Sequence, residues 1–207
     1  MTELLLLRHA LPLSGHADPG LSDVGLAQAN RVAQWLTGSR IDAIVTSPLR
    51  RARETAAPIE AALALTAEVI HDLREWELDD PNQVYDALED MAPDDPRALA
   101  VAEGRYDDFV PELDTVAFQR RTVTAIDDVF MRYQHYSRVV VCTHGGFISA
   151  YLAYVIGARQ VMWFNAEYTG VSRVVRLPSG RVVVRSVNET SHFERQPSPE
   201  GPIYEVT

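Results

Sequence analysis

Four consecutive leucines, Leu4–Leu7, end abruptly in Arg8-His9-Ala10, and no other stretch restricts the fold as strongly. An unbroken apolar run of this length suits a strand buried on both faces of a parallel sheet. A cation and an imidazole at its carboxyl end suit the place where such sheets collect ligands. The pattern recurs: Val139-Val140-Val141-Cys142-Thr143 leads into His144-Gly145-Gly146. Two buried strands that each deliver a histidine at the same end put His9 and His144 at the centre of any function.

The rest of the chain alternates as such a sheet requires. Residues 11–20 carry two prolines and two glycines and read as a loop beside the pocket. A helix follows with Ser22 or Asp23 as N-cap, Ala29, Val32, Ala33 and Leu36 at helical spacing, and Gly38 as its stop. Ile41–Val45 is a second strand, and Thr46-Ser47-Pro48 turns it into a helix whose first turn is Leu49-Arg50-Arg51-Ala52-Arg53. Glu68–Leu73 reads as a third strand ending in Arg74-Glu75-Trp76-Glu77. From about residue 115 a helical face returns with Phe118, Ala125, Ile126, Val129 and Tyr133, and another helix runs from Phe147 to Ile156 before Gly157. Val171–Leu177 and Arg181–Val187 form a hairpin about Pro178-Ser179-Gly180. This order gives an α/β fold: a three-layer sandwich with a mostly parallel sheet and helices on both faces.

Residues 78–112 break the alternation. Asp79-Asp80-Pro81 and Pro93-Asp94-Asp95-Pro96 bracket a short amphipathic piece with Tyr85, Leu88 and Met91, which reads as a small inserted cap. The expected organisation is one domain over residues 1–193 carrying that cap, then a tail of residues 194–207 with three prolines.

Composition excludes several classes. With 207 residues, 46% apolar and 23% charged, the chain is globular and long enough for a substantial core. A formal net charge of -10 argues against nucleic acid or anionic membrane as partners, so an anionic ligand needs a locally positive pocket. All 19 basic residues are arginine, which leaves no lysine for a Schiff base or a Walker loop. The single cysteine, Cys142, allows no internal disulfide; with no signal-peptide pattern and no apolar run of membrane-spanning length, a cytoplasmic protein is expected.

Arg8 and Arg51 each lie just beyond a strand and can point at one spot, and arginine's planar fork matches phosphate or carboxylate. Gly145-Gly146 opens a helix whose free N–H groups add an anion site. Two arginines, two histidines and a helix N-terminus therefore converge on an oxyanion, most simply a phosphoryl group. Beside those cations His9 stays neutral and can attack phosphorus, while Glu75 can protonate a leaving alkoxide and then activate water.

These segments resemble the histidine phosphatase superfamily, which includes the cofactor-dependent phosphoglycerate mutases. Leu7-Arg8-His9-Ala10 is similar to its Arg-His-Gly signature, and Leu21-Ser22-Asp23-Val24-Gly25-Leu26-Ala27-Gln28-Ala29 to the Leu-Thr-x-x-Gly-x-x-Gln-Ala segment after it. Ser47-Pro48-Leu49-Arg50-Arg51-Ala52-Arg53-Glu54-Thr55-Ala56 resembles the Ser-x-x-x-Arg-Ala-x-x-Thr-Ala block, and Thr143-His144-Gly145-Gly146 the second-histidine motif. The resemblance spans residues 4 to about 157. It implies a phosphoglycerate mutase-like fold, His9 as phosphorylated nucleophile, and Arg8, Arg51 and His144 as holders of the phosphoryl oxygens. Arg51, before the motif's alanine, is preferred to Arg50 and Arg53, and Glu75 becomes the acid. Three departures stand out. Ala10 replaces the glycine, Ser14 or Gly15 falls near the place of a usual asparagine, and the common Gly-x-Trp-Glu-Gly is absent after Glu75, which leaves Glu77 as a rival acid.

The implied activity is metal-independent hydrolysis of small-molecule phosphomonoesters, with no cofactor. No His-x-His, His-Glu-x-x-His, Gly-x-Ser-x-Gly or Walker pattern points elsewhere, and Ile148 stands where a cysteine phosphatase built on Cys142 would need arginine. Two alternatives stay open. A phosphoglycerate mutase must hold a second anion, and the acidic cap offers only Arg97 and Arg105. A pseudoenzyme that merely binds phosphorylated ligands would be marked by loss of His9, Arg8, Arg51 or His144, and none is lost. The acidic cap favours a weakly charged or partly apolar ester. His192 and Cys142 read as structural. Tyr151, Tyr154, Met162, Trp163 and Phe164 fit either the core or a homodimer face.

Overall fold

The computed structural model describes residues 1–76 and 84–193. Glu77, the start of the expected cap and the expected tail lie outside the described residues. Six strands form one sheet: β1 (Thr2–Arg8), β2 (Ala43–Thr46), β3 (Ala67–Val69), β4 (Arg138–Thr143), β5 (Val171–Arg176) and β6 (Val182–Glu189). Their order is β3-β2-β4-β1-β5-β6. The first four of that order run parallel, and β5 is antiparallel to both β1 and β6. The helices are α1 (Asp23–Leu36), α2 (Arg50–Leu63), α3 (Pro96–Ala102), α4 (Thr115–Arg132) and α5 (Gly145–Ile156). The α/β sandwich read from the sequence is the fold observed.

Alternation along the central strands explains why both faces are covered. Leu4, Leu6, Val45, Val139 and Val141 pack with Phe118, Ile126 and Val129 of α4 and with Phe147 and Tyr151 of α5. Leu5, Leu7, Ile44, Val140 and Cys142 face the other way, against Val32 and Leu36 of α1 and Ala52, Ala56 and Ile59 of α2. Burying one leucine fully is worth about 1.5–3 kcal/mol. The four leucines of β1 are thus together worth about as much as the net stability of a whole domain, about 5–15 kcal/mol.

The helix ends follow their local chemistry. Ser22 Oγ accepts from Gly25 N–H at 3.1 Å to cap α1, and Asp114 Oδ1 accepts from Ala117 N–H at 2.9 Å to cap α4. Gly157, at φ 71°, closes α5 in the left-handed conformation. Leu49 caps α2 without a side-chain bond, and the Asp18 carboxylate instead accepts from Arg50 N–H at 2.9 Å.

One sequence expectation needs correction, and a second stretch takes a form the sequence did not specify. The third strand covers only Ala67–Val69, and His71–Leu73 is a 3₁₀ turn. Ile70 and Leu73, both buried, are three residues apart, which is turn spacing rather than the period of two. The amphipathic piece with Tyr85, Leu88 and Met91 is divided between two local forms. Tyr85 makes an antiparallel bridge to His16, and a 3₁₀ turn follows at Leu88–Asp90. The helix of this region lies further on, where Asp95 Oδ1 accepts from Arg97 N–H at 2.8 Å and Pro96 opens α3. A smaller difference is that Tyr133 caps the end of α4 instead of lying within it.

Candidate active site

Sheet register brings the site together. Arg8 pairs with Thr143, and Thr46 pairs with Cys142, so β1, β2 and β4 end level. His9 N–H donates to Thr143 O and Ser47 N–H to Cys142 O, both at 2.9 Å, which carries the alignment one residue past each strand. His9, Ser47 and His144 therefore arrive side by side at the carboxyl ends of three parallel strands. Arg51 comes from the first turn of α2. Glu75 is delivered by the 3₁₀ turn, which Thr143 Oγ1 holds by donating to Leu73 O at 2.7 Å.

The two histidine rings lie 5.1 Å apart, inclined at 62°. His9 Nδ1 is 2.8 Å from Ala10 O and carries the proton that bonds it, which leaves the Nε2 lone pair exposed to the site. Arg51 Nε–H donates to that nitrogen at 3.3 Å. Burial, then the charges of Arg51 and Arg8, hold His9 well below the usual histidine range, so the ring is neutral at neutral pH. His144 is depressed as well, by burial first and then by Arg51.

His144 is oriented differently. Its Nε2 lies 2.8 Å from Ser47 Oγ, while its Nδ1 is buried without a hydrogen-bond partner among the described residues. Ser47 Oγ already accepts from Leu49 N–H at 3.3 Å, so its own proton is available to His144 Nε2. With Ser47 Oγ–H donating to Nε2, the remaining proton of the neutral ring sits on Nδ1, the nitrogen without a partner among the described residues.

Glu75 accepts from Gly146 N–H at 3.0 Å and from its neighbour's Trp76 N–H at 3.3 Å. Burial raises its pKa to about 6, against the opposing pull of those amides and of Arg51 and Arg8. The glycine at 146 is required by close packing: a Cβ there would lie 1.9 Å from the Trp76 ring. The backbone of the turn is fixed by Arg121 of α4, which donates to Asp72 O at 2.9 Å, Arg74 O at 2.8 Å and Glu75 O at 2.9 Å.

The five residues expected in the site, His9, Glu75, Arg8, Arg51 and His144, thus converge. Arg50, by contrast, pairs with Glu54 at 2.6 Å on an exposed helix face. Ser14 does not face the phosphoryl position; its hydroxyl accepts from Ala87 N–H at 3.1 Å. Several participants were missed in the sequence. Arg8 stacks 3.8 Å from the Tyr168 ring and donates to Asn165 Oδ1 at 3.3 Å, and Arg51 lies 5.0 Å from the Tyr85 ring. The two tyrosine hydroxyls bond each other at 3.0 Å, so one pair of rings backs both cations. No spacing pointed to Tyr168 or Asn165. Ser47 stood inside a recognised motif, but without a role.

Thr169 ties the far side. It has φ 58°, a strained conformation for a β-branched residue, and its N–H donates to Arg8 O at 3.1 Å. Its hydroxyl lies 3.1 Å from His192 Nε2, and His192 stacks on Trp35 at 5.3 Å, in keeping with a structural role. Cys142 donates to Ala52 O at 3.2 Å, and burial pushes its thiol up to about 12. Among the described residues, no three His, Cys, Asp or Glu side chains are grouped so that they could hold a metal ion. None of the described helices is long and apolar enough to cross a membrane.

The sequence profile of the histidine phosphatase superfamily (branch 1) matches residues 4–190, and the chain belongs to that superfamily. Phosphoserine phosphatase 1 of Hydrogenobacter thermophilus is 28% identical over 93% of this chain and 95% of its own length. Phosphoglycerate mutase-like protein 4 of Arabidopsis thaliana is 34% identical over 70% of this chain and 67% of its own. Among solved structures, phosphoserine phosphatase of Entamoeba histolytica superposes with a TM-score of 0.71 at 24% identity, covering 93% of this chain and 99% of that one. The fold, the family and the phosphatase relatives make this chain a histidine-type phosphatase of phosphomonoesters.

Proposed function

We propose that His9, Glu75, Arg8, Arg51 and His144 carry out this hydrolysis in two covalent steps. One observation supports the reading above all: a neutral, buried imidazole presents the Nε2 lone pair between two arginines, and a carboxyl group with a pKa of about 6 shares the cavity. In the first step Nε2 attacks phosphorus and the bond to the leaving oxygen breaks. Glu75 gives that oxygen its proton. In the second step water, losing a proton to the Glu75 carboxylate, attacks the phosphohistidine. The P–N bond breaks, its electron pair returns to Nε2, and inorganic phosphate leaves. Arg8, Arg51 and His144 Nδ1–H supply the positive groups that hold the phosphoryl oxygens.

The test is to trap the intermediate. Quenching in alkaline detergent during turnover of a radiolabelled phosphate ester, with a chelator present, is expected to leave label on the protein that is kept in alkali and lost on later acid treatment, as a phosphoramidate requires. His9→Ala is expected to carry none. Label retained in His9→Ala, or activity abolished by the chelator, would refute the assignment.

A further inference from the structure

The reacting groups open into a cavity of about 680 Å³, far more than a phosphoryl group fills. Beyond Arg8 and Arg51 one part of its wall is an apolar group of Trp76, Leu88, Val101, Phe109, Val110 and Phe164. Trp76 and Phe109 meet edge to face at 6.4 Å, and Phe118 backs Trp76 at 5.9 Å, so this wall is braced from the core. The 162–164 side is fixed too, because Ser149 Oγ of α5 accepts from Trp163 N–H at 2.9 Å.

The charge on this wall has the wrong sign for a second anion. Arg97 is the one additional cation lining the cavity among the described residues. Its guanidinium is already committed, to Asp95 at 2.9 Å and to Asp86 at 3.3 Å. Asp86 and Glu112 line the same cavity as carboxylates. A carboxylate or second phosphate on the substrate would give up water for an apolar surface and a compensated arginine.

Resting on the phosphatase reading above, we infer that the alcohol portion of the substrate is apolar and carries no negative charge: an aryl or arylalkyl phosphomonoester. The hydrolysis itself is unchanged by this; the cavity wall selects which leaving group is bound. Contact with Trp76 and Phe109 offers an aromatic ring an edge and a face, which a polyol cannot use.

The experiment compares three alkyl phosphates, so that leaving-group reactivity does not decide the outcome. These are 2-phenylethyl phosphate, glycerol 3-phosphate and 3-phosphoglycerate. Burying the phenyl group is expected to raise kcat/KM about 10- to 100-fold over glycerol 3-phosphate, with 3-phosphoglycerate lower still. Phe109→Ala, and Leu88→Ala as a second variant, are expected to narrow the gap by lowering the phenylethyl value. Turnover of 3-phosphoglycerate equal to or above that of 2-phenylethyl phosphate would overturn the substrate class and leave the phosphatase reading intact. A gap untouched in both folded variants would overturn the assignment of the wall. Absence of turnover and of phosphoenzyme with all three would overturn both readings.

Discussion

Two strand ends deliver a histidine each, and they are wired in opposite senses. At the end of β1, His9 spends Nδ1 on the carbonyl of the next residue and presents Nε2. At the end of β4, His144 spends Nε2 on Ser47 and leaves Nδ1 buried and unpartnered among the described residues. Both rings are neutral; with Ser47 as donor to His144, one offers a lone pair and the other a proton. In the mechanism proposed above, identical side chains at matching register positions become nucleophile and hydrogen-bond donor through the partner of the other nitrogen. The surrounding groups follow the same division. Arg51 attends the β1 side, whereas Glu75, through Gly146 N–H, is attached to the helix that β4 opens.

Exchanging the two roles by mutation gives the largest expected contrast. His9→Ala should lower kcat by more than about 10⁴-fold, because the covalent route is lost. His144→Ala should lower it by about 10²- to 10³-fold, the range for one donor to a charged transition state, and should still form phosphoenzyme. Rapid-quench measurement of label on the protein separates the two, and equal, complete loss of label in both would break the comparison.

Glu75→Gln comes next. On alkyl phosphates a loss of about 10²- to 10⁴-fold is expected, and less on p-nitrophenyl phosphate, whose leaving group needs little protonation. With Glu75 near 6 in the free protein, wild-type kcat/KM on alkyl esters should fall as pH rises through that value; the variant should lack this limb. The substitution should affect stability in the opposite sense to activity. A carboxyl whose folded-state pKa is raised contributes stability that is full below its unfolded value and lost as pH rises through the folded one. Urea unfolding at pH 8 should therefore find Glu75→Gln more stable than wild type by about 1–2 kcal/mol, and at pH 4 find no such gain.

Arg121→Met tests the anchoring of the acid at a distance. Freeing the carbonyls of Asp72, Arg74 and Glu75 should cost about 10- to 100-fold on alkyl phosphates and much less on p-nitrophenyl phosphate. Equal losses on both would make Arg121 a purely structural residue. The smallest effect belongs to Ser47→Ala, which removes the partner of His144 Nε2. A loss of about 3- to 10-fold in kcat, the worth of one neutral hydrogen bond, should appear while phosphoenzyme still forms.

Much of this geometry was legible in the chain because its causes are local. Leu4–Leu7 and Val139–Cys142 could only be buried strands, and Arg8, His9, Thr143 and His144 follow them directly. Ser22 and Gly157 mark helix ends by chemistry that needs no tertiary partner. What escaped depends on distant chain. Tyr85 and Tyr168 are 83 residues apart and meet through one hydroxyl bond, and Arg121 reaches across from α4 to a turn it does not adjoin in sequence. The form of the Tyr85–Met91 stretch escaped for a related reason. Its i, i+3, i+6 apolar spacing fits a helix, but Tyr85 is held extended by His16, a residue from a loop far upstream. Asp95-Pro96 was a legible helix start that the bracketing prolines disguised as a boundary.

The position of β1 has a consequence for how the molecule wears out. It is hydrogen-bonded along its length on both sides, to β4 from Glu3 to Arg8 and to β5 from Thr2 to Leu7. No edge is available from which it could fray, so its amides can exchange with solvent only when the whole sheet opens. His9 is the next residue along that strand. Heat therefore reaches His9 only by opening the sheet: loss of phosphoenzyme formation and global unfolding should follow a single curve.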